Sequence, residues 1–216
     1  MSGLLDLLGP GDGGEAARVQ GVVTGVVTNN QDPDGMGRVK VRFPWLSASD
    51  ESWWARLAVP MAAADAGTYF LPDVDDEVLV AFEHGDVRFP YVLGGLWHGG
   101  SPGAAPPEDN SDGKNARKTI RSKSGLTITL DDSHGAERIL ISDKAGKTTI
   151  VLDAAATELT LDADSDVTVT AGGKLVLKGQ DVEIQSQAGI KLDAQANLDL
   201  TATGQTTVKG ASVSLG

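Results

Sequence analysis

Three aspartates alternate in DADSD (162–166), giving Asp162, Asp164 and Asp166 the one-three-five spacing of a calcium loop. Calcium chemistry asks for more: a glycine at the sixth position of that loop and a glutamate at the twelfth. Val167 occupies the first of these, and no glutamate follows at the right distance. The three carboxylates therefore read as solvated acids on an exposed strand face. Glu83, His84 and Asp86 fall together in EHGD (83–86), a grouping that could exchange protons. The same four residues have the composition of a tight turn, and that reading is preferred. His134, in DDSHGAE, sits in another turn-like stretch. Trp53 and Trp54 are adjacent, so a strand would send one into a core and the other outward, toward a neighbouring molecule. No G-x-S-x-G, H-E-x-x-H or phosphate-binding loop is present. The sequence thus nominates no catalytic residue, no cofactor-binding residue and no metal ligand, and it reads as a non-enzyme.

The elements that would carry these residues divide by composition. All ten aromatic residues lie between Phe43 and Trp97, and none occurs from Gly99 to Gly216. Between the two regions runs GGSPGAAPPEDNSDGKNARK (99–118), which has linker composition. The expected domains are a flexible segment over 1–17, a barrel over 18–99, a Gly/Pro-rich linker over 100–119 and a third region over 120–216. In the barrel region five strand candidates can be read. They are RVQGVVTGVVT, GRVKVRF, SWWARLAV, DEVLVAFEHGD and RFPYVLGGLW, with DPDG and EHGD as turns. In GRVKVRF the alternation places Val39, Val41 and Phe43 on one face, with Lys40 and Arg42 on the other. Five short strands without a helical pattern predict an OB-type closed barrel, with a five-stranded open sandwich as the alternative.

Charge narrows the function classes. The chain carries 18 Lys+Arg against 30 Asp+Glu, a formal net charge of −12, which disfavours a nucleic-acid partner. It has no cysteine, so disulfides are excluded. No run of 18 apolar residues is present to form a membrane-spanning helix. The N-terminal MSGLLDLLGPGDGGE lacks a basic region and is interrupted by Asp6, so it does not read as a secretory signal, and synthesis in a cytoplasm is expected.

The region after the linker keeps time. Aliphatic doublets at Leu159/Leu161, Val167/Val169, Leu175/Leu177, Val182/Ile184, Ile190/Leu192 and Leu198/Leu200 are followed by a weak Thr206/Val208 and then Val213/Leu215. Their starts, at 159, 167, 175, 182, 190, 198, 206 and 213, recur every seven or eight residues, the mark of a repeat architecture. Each doublet puts two side chains on one face of a short strand, and the opposite face is polar. Eight residues supply about one strand and one corner, too little for a single chain to wrap around its own doublets. Three chains winding about one axis would bury them in a column too narrow for aromatic side chains. The predicted fold is all-β: an OB-fold barrel followed by an intertwined trimeric β-helix, or β-prism, whose core is the residues from Leu159 to Leu200 just named.

GMGRVKVRFPWL (35–46), SWWARLAVPMA (52–62) and GTYFLPDVDDEVLVAFEHGDVRFPYVLGGLWHG (67–99) resemble the OB-fold of the central spikes of contractile injection machines. That family includes phage baseplate assembly protein V, the T-even phage cell-puncturing protein and VgrG of type VI secretion. The resemblance covers roughly 28–99, and the following octads fit the family's stalk. It implies a homotrimeric structural spike in a tail-like baseplate that punctures a target envelope when the sheath contracts. It further implies a separate hub protein at the barrel end, against which Met1–Ala17 would order. No histidine pair stands near the C-terminus, and GASVSLG stops in mid-repeat. A blunt end capped by a PAAR-type tip protein is therefore expected, at Val208, Val213, Leu215 and Gly216. Two other readings compete: a cell-wall hydrolase on a trimeric stalk, for which no carboxylate pair or inserted domain is found, and a trimeric fibre protein binding glycans or oligonucleotides through its barrel.

Overall fold

A computed structural model of the chain describes residues 18–99, 105–108 and 110–214. Met1–Ala17, part of the expected linker, and the expected tip residues Leu215 and Gly216 lie outside the described residues. No α-helix occurs among them, and the fold is all-β.

The barrel region contains β1 (Val22–Asn29), β2 (Lys40–Arg42), β3 (Arg56–Leu57), β4 (Ala62–Ala63), β5 (Ala66–Gly67), β6 (Glu77–Phe82) and β7 (Pro90–Gly95). Each of the five segments expected to be extended contributes one strand to a single sheet of order β2-β1-β6-β7-β3. Its pairings are antiparallel except for β3 with β7, which run parallel. Val39 and Ala55 exchange backbone hydrogen bonds of 3.0 and 2.7 Å, joining the approach to β2 with the approach to β3. The sheet therefore curls until its outer members meet, as an OB domain requires. Irregular register after Val27 and after Leu79 adds the bends that such curling needs.

The interior is filled by Val27, Val39, Val41, Phe43, Ala55, Val78, Val80, Phe82, Val87 and Val92. Alternation in GRVKVRF works as expected, with Val39, Val41 and Phe43 buried. SWWARLAV behaves differently. Trp53 is 60% exposed and Trp54 half-buried, while Ser52 and Ala55 face inward. The reason is local: only Arg56–Leu57 is regular strand, so the two-residue period does not extend back to the tryptophans. Trp54 instead lies beneath the cations of Arg38 and Lys40, 5.8 and 5.6 Å from its ring centroid.

Downstream, β8 (Arg117–Arg121), β9 (Thr127–Asp131), β10 (Arg138–Ser142), β11 (Thr148–Asp153) and β12 (Glu158–Ala163) form an antiparallel meander in sequential order. Short turns suffice. Between β10 and β11, for example, Asp143 accepts hydrogen bonds from the backbone N–H groups of Ala145, Lys147 and Thr148. Contacts divide the chain into two compact units at Asp164/Ser165. The second unit contains no strand among its described residues.

Gly25 shows how tightly the curled sheet is drawn. It is buried in the middle of β1, and a Cβ there would lie 2.3 Å from Val41 Cγ1 and 3.1 Å from Phe43 Cδ1. Gly25→Val should therefore destabilise the barrel by at least about 1–3 kcal/mol. Because every aromatic residue falls between 43 and 97, near-ultraviolet circular dichroism reads this domain alone. An unchanged unfolding midpoint in that signal would show that Gly25 is not a close-approach site.

Candidate assembly interface

The groups singled out for possible chemistry are dispersed over turns and strand faces. Glu83–Gly85 form a single 3-10 turn, with His84 at φ 51° and Gly85 at φ 80°. Asp86 pairs with Arg88, and that guanidinium holds its carboxyl down at about 2. Glu83 accepts a 2.5 Å hydrogen bond from the Tyr91 hydroxyl, which also accepts one from Arg56. Asp162 lies on β12 opposite Thr149, Asp164 pairs with Lys147 at 3.3 Å, and Asp166 is exposed. His134 is exposed in the turn between β9 and β10. Among the described residues no cluster of three or more histidine or carboxylate side chains is placed to hold a metal.

DPDG supplies more than a turn. Asp32 accepts from the backbone N–H groups of Asp34, Met36 and Arg38, and from Arg38 Nε at 2.8 Å and Nη2 at 2.6 Å. Arg38 holds the Asp32 carboxyl well below the ordinary carboxylate range, foremost by its side-chain hydrogen bonds. Five hydrogen bonds on one carboxylate fix the loop that leads into β2.

The largest unspent resource of the chain is apolar. Register in the meander places Ile120, Ile128, Ile141, Ile150 and Leu161 in one cross-strand row. Leu130, Ile139, Leu152 and Leu159 form a second row beside it. Directly opposed residues in antiparallel strands share a face, so these aliphatics make one continuous stripe. Each is 40–66% exposed in the single chain. The opposite face is mostly polar around a central Leu140–Val151 pair, with Thr119–Thr129 and Thr127–Ser142 hydroxyl contacts of 3.3 and 2.7 Å. Part of the stripe borders a groove lined by Ile120, Leu126, Ile128, Ile141 and Ile150.

The doublets beyond the sheet are equally uncovered. Val167, Val169, Leu175, Leu177, Val182, Ile184, Ile190, Leu192, Leu198 and Leu200 are 55–70% exposed, and Val208 and Val213 are exposed too. Bends begin at 164, 172, 180, 187, 195, 203 and 211, once between each pair of doublets. Along 165–214 no backbone-to-backbone hydrogen bond is made among the described residues. A long run of backbone without pairing of its own, carrying an exposed aliphatic doublet between most successive bends, is a surface built to be covered.

One site escaped sequence reading. Asp131 closes β9 and is only 4% exposed. Arg117 Nε stands 3.2 Å from it and Arg138 Nη2 3.7 Å. Hydrogen bonds from Ser133, then the Arg117 charge, lower its pKa against the opposing effect of burial. Arg117, Asp131, Arg138 and Asp153 occupy successive cross-strand positions, a charge ladder visible only once the register is known.

Residues 23–97 match the family model of the type VI secretion system/phage-baseplate injector OB domain. The chain is 33% identical over 115 residues to the type VI secretion system spike protein VgrG3 of Vibrio cholerae, a stretch covering 50% of this chain and 11% of the relative. Over 128 residues it is 28% identical to the spike protein VgrG1a of Pseudomonas aeruginosa, covering 55% and 20%. The actin cross-linking toxin VgrG1 of V. cholerae is 30% identical over 126 residues, covering 56% and 10%. The matched stretch thus spans only 10–20% of the length of these relatives. The barrel is an injector OB domain. The spike relatives share this stretch, so the barrel region is similar to that of the central spikes of contractile injection systems.

Asp131 yields a prediction. Its carboxylate contributes stability that is fully present above about pH 4 and is lost as pH falls through its lowered native value. Asp131→Asn should cost about 1–3 kcal/mol by removing the buried negative charge that Arg117 and Arg138 share. Chemical denaturation of the meander as a function of pH should show the acid decline weakened in the variant. Superimposable profiles would remove the ladder from the stability account.

Proposed function

We propose that the chain is the homotrimeric spike at the centre of a contractile-tail baseplate, driven through a target envelope on sheath contraction. The observation that carries the reading is the uncovered aliphatic stripe of β8–β12, continued by an octad repeat with no backbone pairing of its own. Two further copies would satisfy both deficits at once. Three meanders packed by their striped faces would make an apolar prism. Below Asp164 three extended chains could pair with one another and turn a corner at each bend. The resulting cross-section leaves no long sheet edge open, and force along it meets strands of all three chains together.

On this reading the domains are 1–17, 18–99, 100–119 and 120–216, with the barrel facing a hub protein. The role is mechanical and passive. The stalk core consists of the doublets from Leu159 to Leu200, and the far end, around Val208, Val213, Leu215 and Gly216, receives a PAAR-type tip protein. The spike acts as part of an assembled phage-tail-like particle or injection-system baseplate.

The trimer is tested by native mass measurement and sedimentation, where a stable folded monomer would reject it. Leu175→Asp or Val182→Asp should impair assembly, because three charges would then meet on an apolar axis. Lys174→Ala or Glu183→Ala should change stability by no more than about 0.5 kcal/mol. Equal damage from both kinds of substitution would mean the assignment of faces is wrong. For the tip, removal of 209–216 should abolish pull-down of the tip protein and leave the trimer intact.

A further inference from the structure

The octad repeat holds little information about its own alignment. Moving one chain by eight residues along its neighbours would lay Leu175/Leu177 where Val167/Val169 had been, and doublet over doublet at every step except the two seven-residue ones, 175 to 182 and 206 to 213. Polar spacers would meet polar spacers at the remaining steps. Near-uniform β patterns specify register weakly, and such a slip loses contacts only at the ends and at the one internal seven-residue step, 175 to 182. An intertwined stalk therefore needs its stagger set by something outside the repeat.

The meander has what the repeat lacks. Its strands pair inside one chain through turns of a few residues, so it can form before any partner arrives. Its doublets begin at 128, 139, 150 and 159, giving the irregular intervals 11, 11 and 9. The unique pairs Arg117–Asp131 and Lys118–Asp132 mark one end. The boundary between the two compact units falls at Asp164/Ser165, immediately after the last meander strand.

We propose that β8–β12 is a registration module: it folds within each chain, associates with two other copies through its aliphatic stripe, and thereby fixes the stagger in which 165–214 wind together. The inference rests on the trimeric reading above and adds to it an order of events and a division of labour. In-chain hairpins close short loops and form quickly, whereas the repeat gains pairing only when three chains have met. An apolar stripe that is complete in the monomer is the natural first contact.

The chain has no cysteine, so Lys174→Cys carries one nitroxide spin label per chain. An aligned trimer places three labels at the corners of an equilateral triangle and gives one inter-label distance by electron paramagnetic resonance. A slipped chain breaks that symmetry and adds a second. The labelled chain should show the single distance, and adding Ile141→Asp, which puts a charge in the middle of the stripe, should replace it with several or abolish it. A trimer of the double variant with the original single distance overturns the proposal. Should Ile141→Asp prevent folding altogether, pulse-labelled hydrogen exchange on the unsubstituted, refolding chain decides. Amides of 138–142 and 148–153 should be protected before those of 167–208, and simultaneous or reversed protection overturns the proposal. A labelled chain that sediments as a folded monomer overturns the trimeric reading itself.

Discussion

A β-strand that buries one face must find a second layer to cover it, and the meander of this chain supplies none. Nine aliphatic side chains stand in two rows on one face of β8–β12, and each is at least 40% exposed. Burying a single such side chain stabilises by about 1.5–3 kcal/mol, so a stripe of this size is a large unrealised term in a marginally stable molecule. The constraint then passes down the chain. Beyond Asp164, among the described residues, the backbone makes no hydrogen bond to other backbone and the aliphatic doublets stand exposed, and the same additional copies would satisfy both.

The barrel solves the burial problem the opposite way. Its sheet curls until Val39 and Ala55 exchange hydrogen bonds, so one side of five short strands faces only itself. The enclosed space is small and takes mainly valines, with Phe43 and Phe82 packed 5.5 Å apart as its aromatic fill. Close packing of that kind leaves no room for a side chain at Gly25. Most other aromatics are displaced to the surface, Trp45, Trp53, Tyr69, Phe70, Phe89 and Trp97 among them. One chain thus contains a domain that closes on itself and a region that does not.

Much of this was legible in the sequence, and the failures have physical causes. Alternation found all five barrel strands because each is short, half-buried and bounded by turn residues. It failed at Trp53 and Trp54 because 52–55 is held by isolated bridges rather than by a ladder, and period two holds only within a ladder. The octads of the repeat were visible as spacing alone, and the bends at 164, 172, 180 and 187 keep the same time. The expected region 120–216 does not separate the meander from the octads, although intervals of 11, 11 and 9 between its doublets leave room for in-chain turns that octads lack. Asp131 could not be found locally. Its arginine partners are 14 and 7 residues away, and only the register brings them together.

The two faces of the meander also decide which way it must turn in any assembly. Were the polar face turned inward, Arg117, Arg138 and Asp153 would lose water near an axis where three copies of each meet, and such charges are costly to bury even when paired. The hydroxyl contacts of Thr119 with Thr129 and of Thr127 with Ser142 already satisfy part of that face without a partner. Glu108 adds to this from outside the sheet, accepting a 2.6 Å hydrogen bond from Thr119. The aliphatic face has no such alternative, because no hydrogen bond can compensate an exposed isoleucine. Orientation is therefore fixed twice, by what the stripe gains on burial and by what the ladder would lose. The octads from Val167 to Leu200 alternate in the same way apart from Val176, so the proposed trimer would cover the same kind of face in the meander and in the repeat.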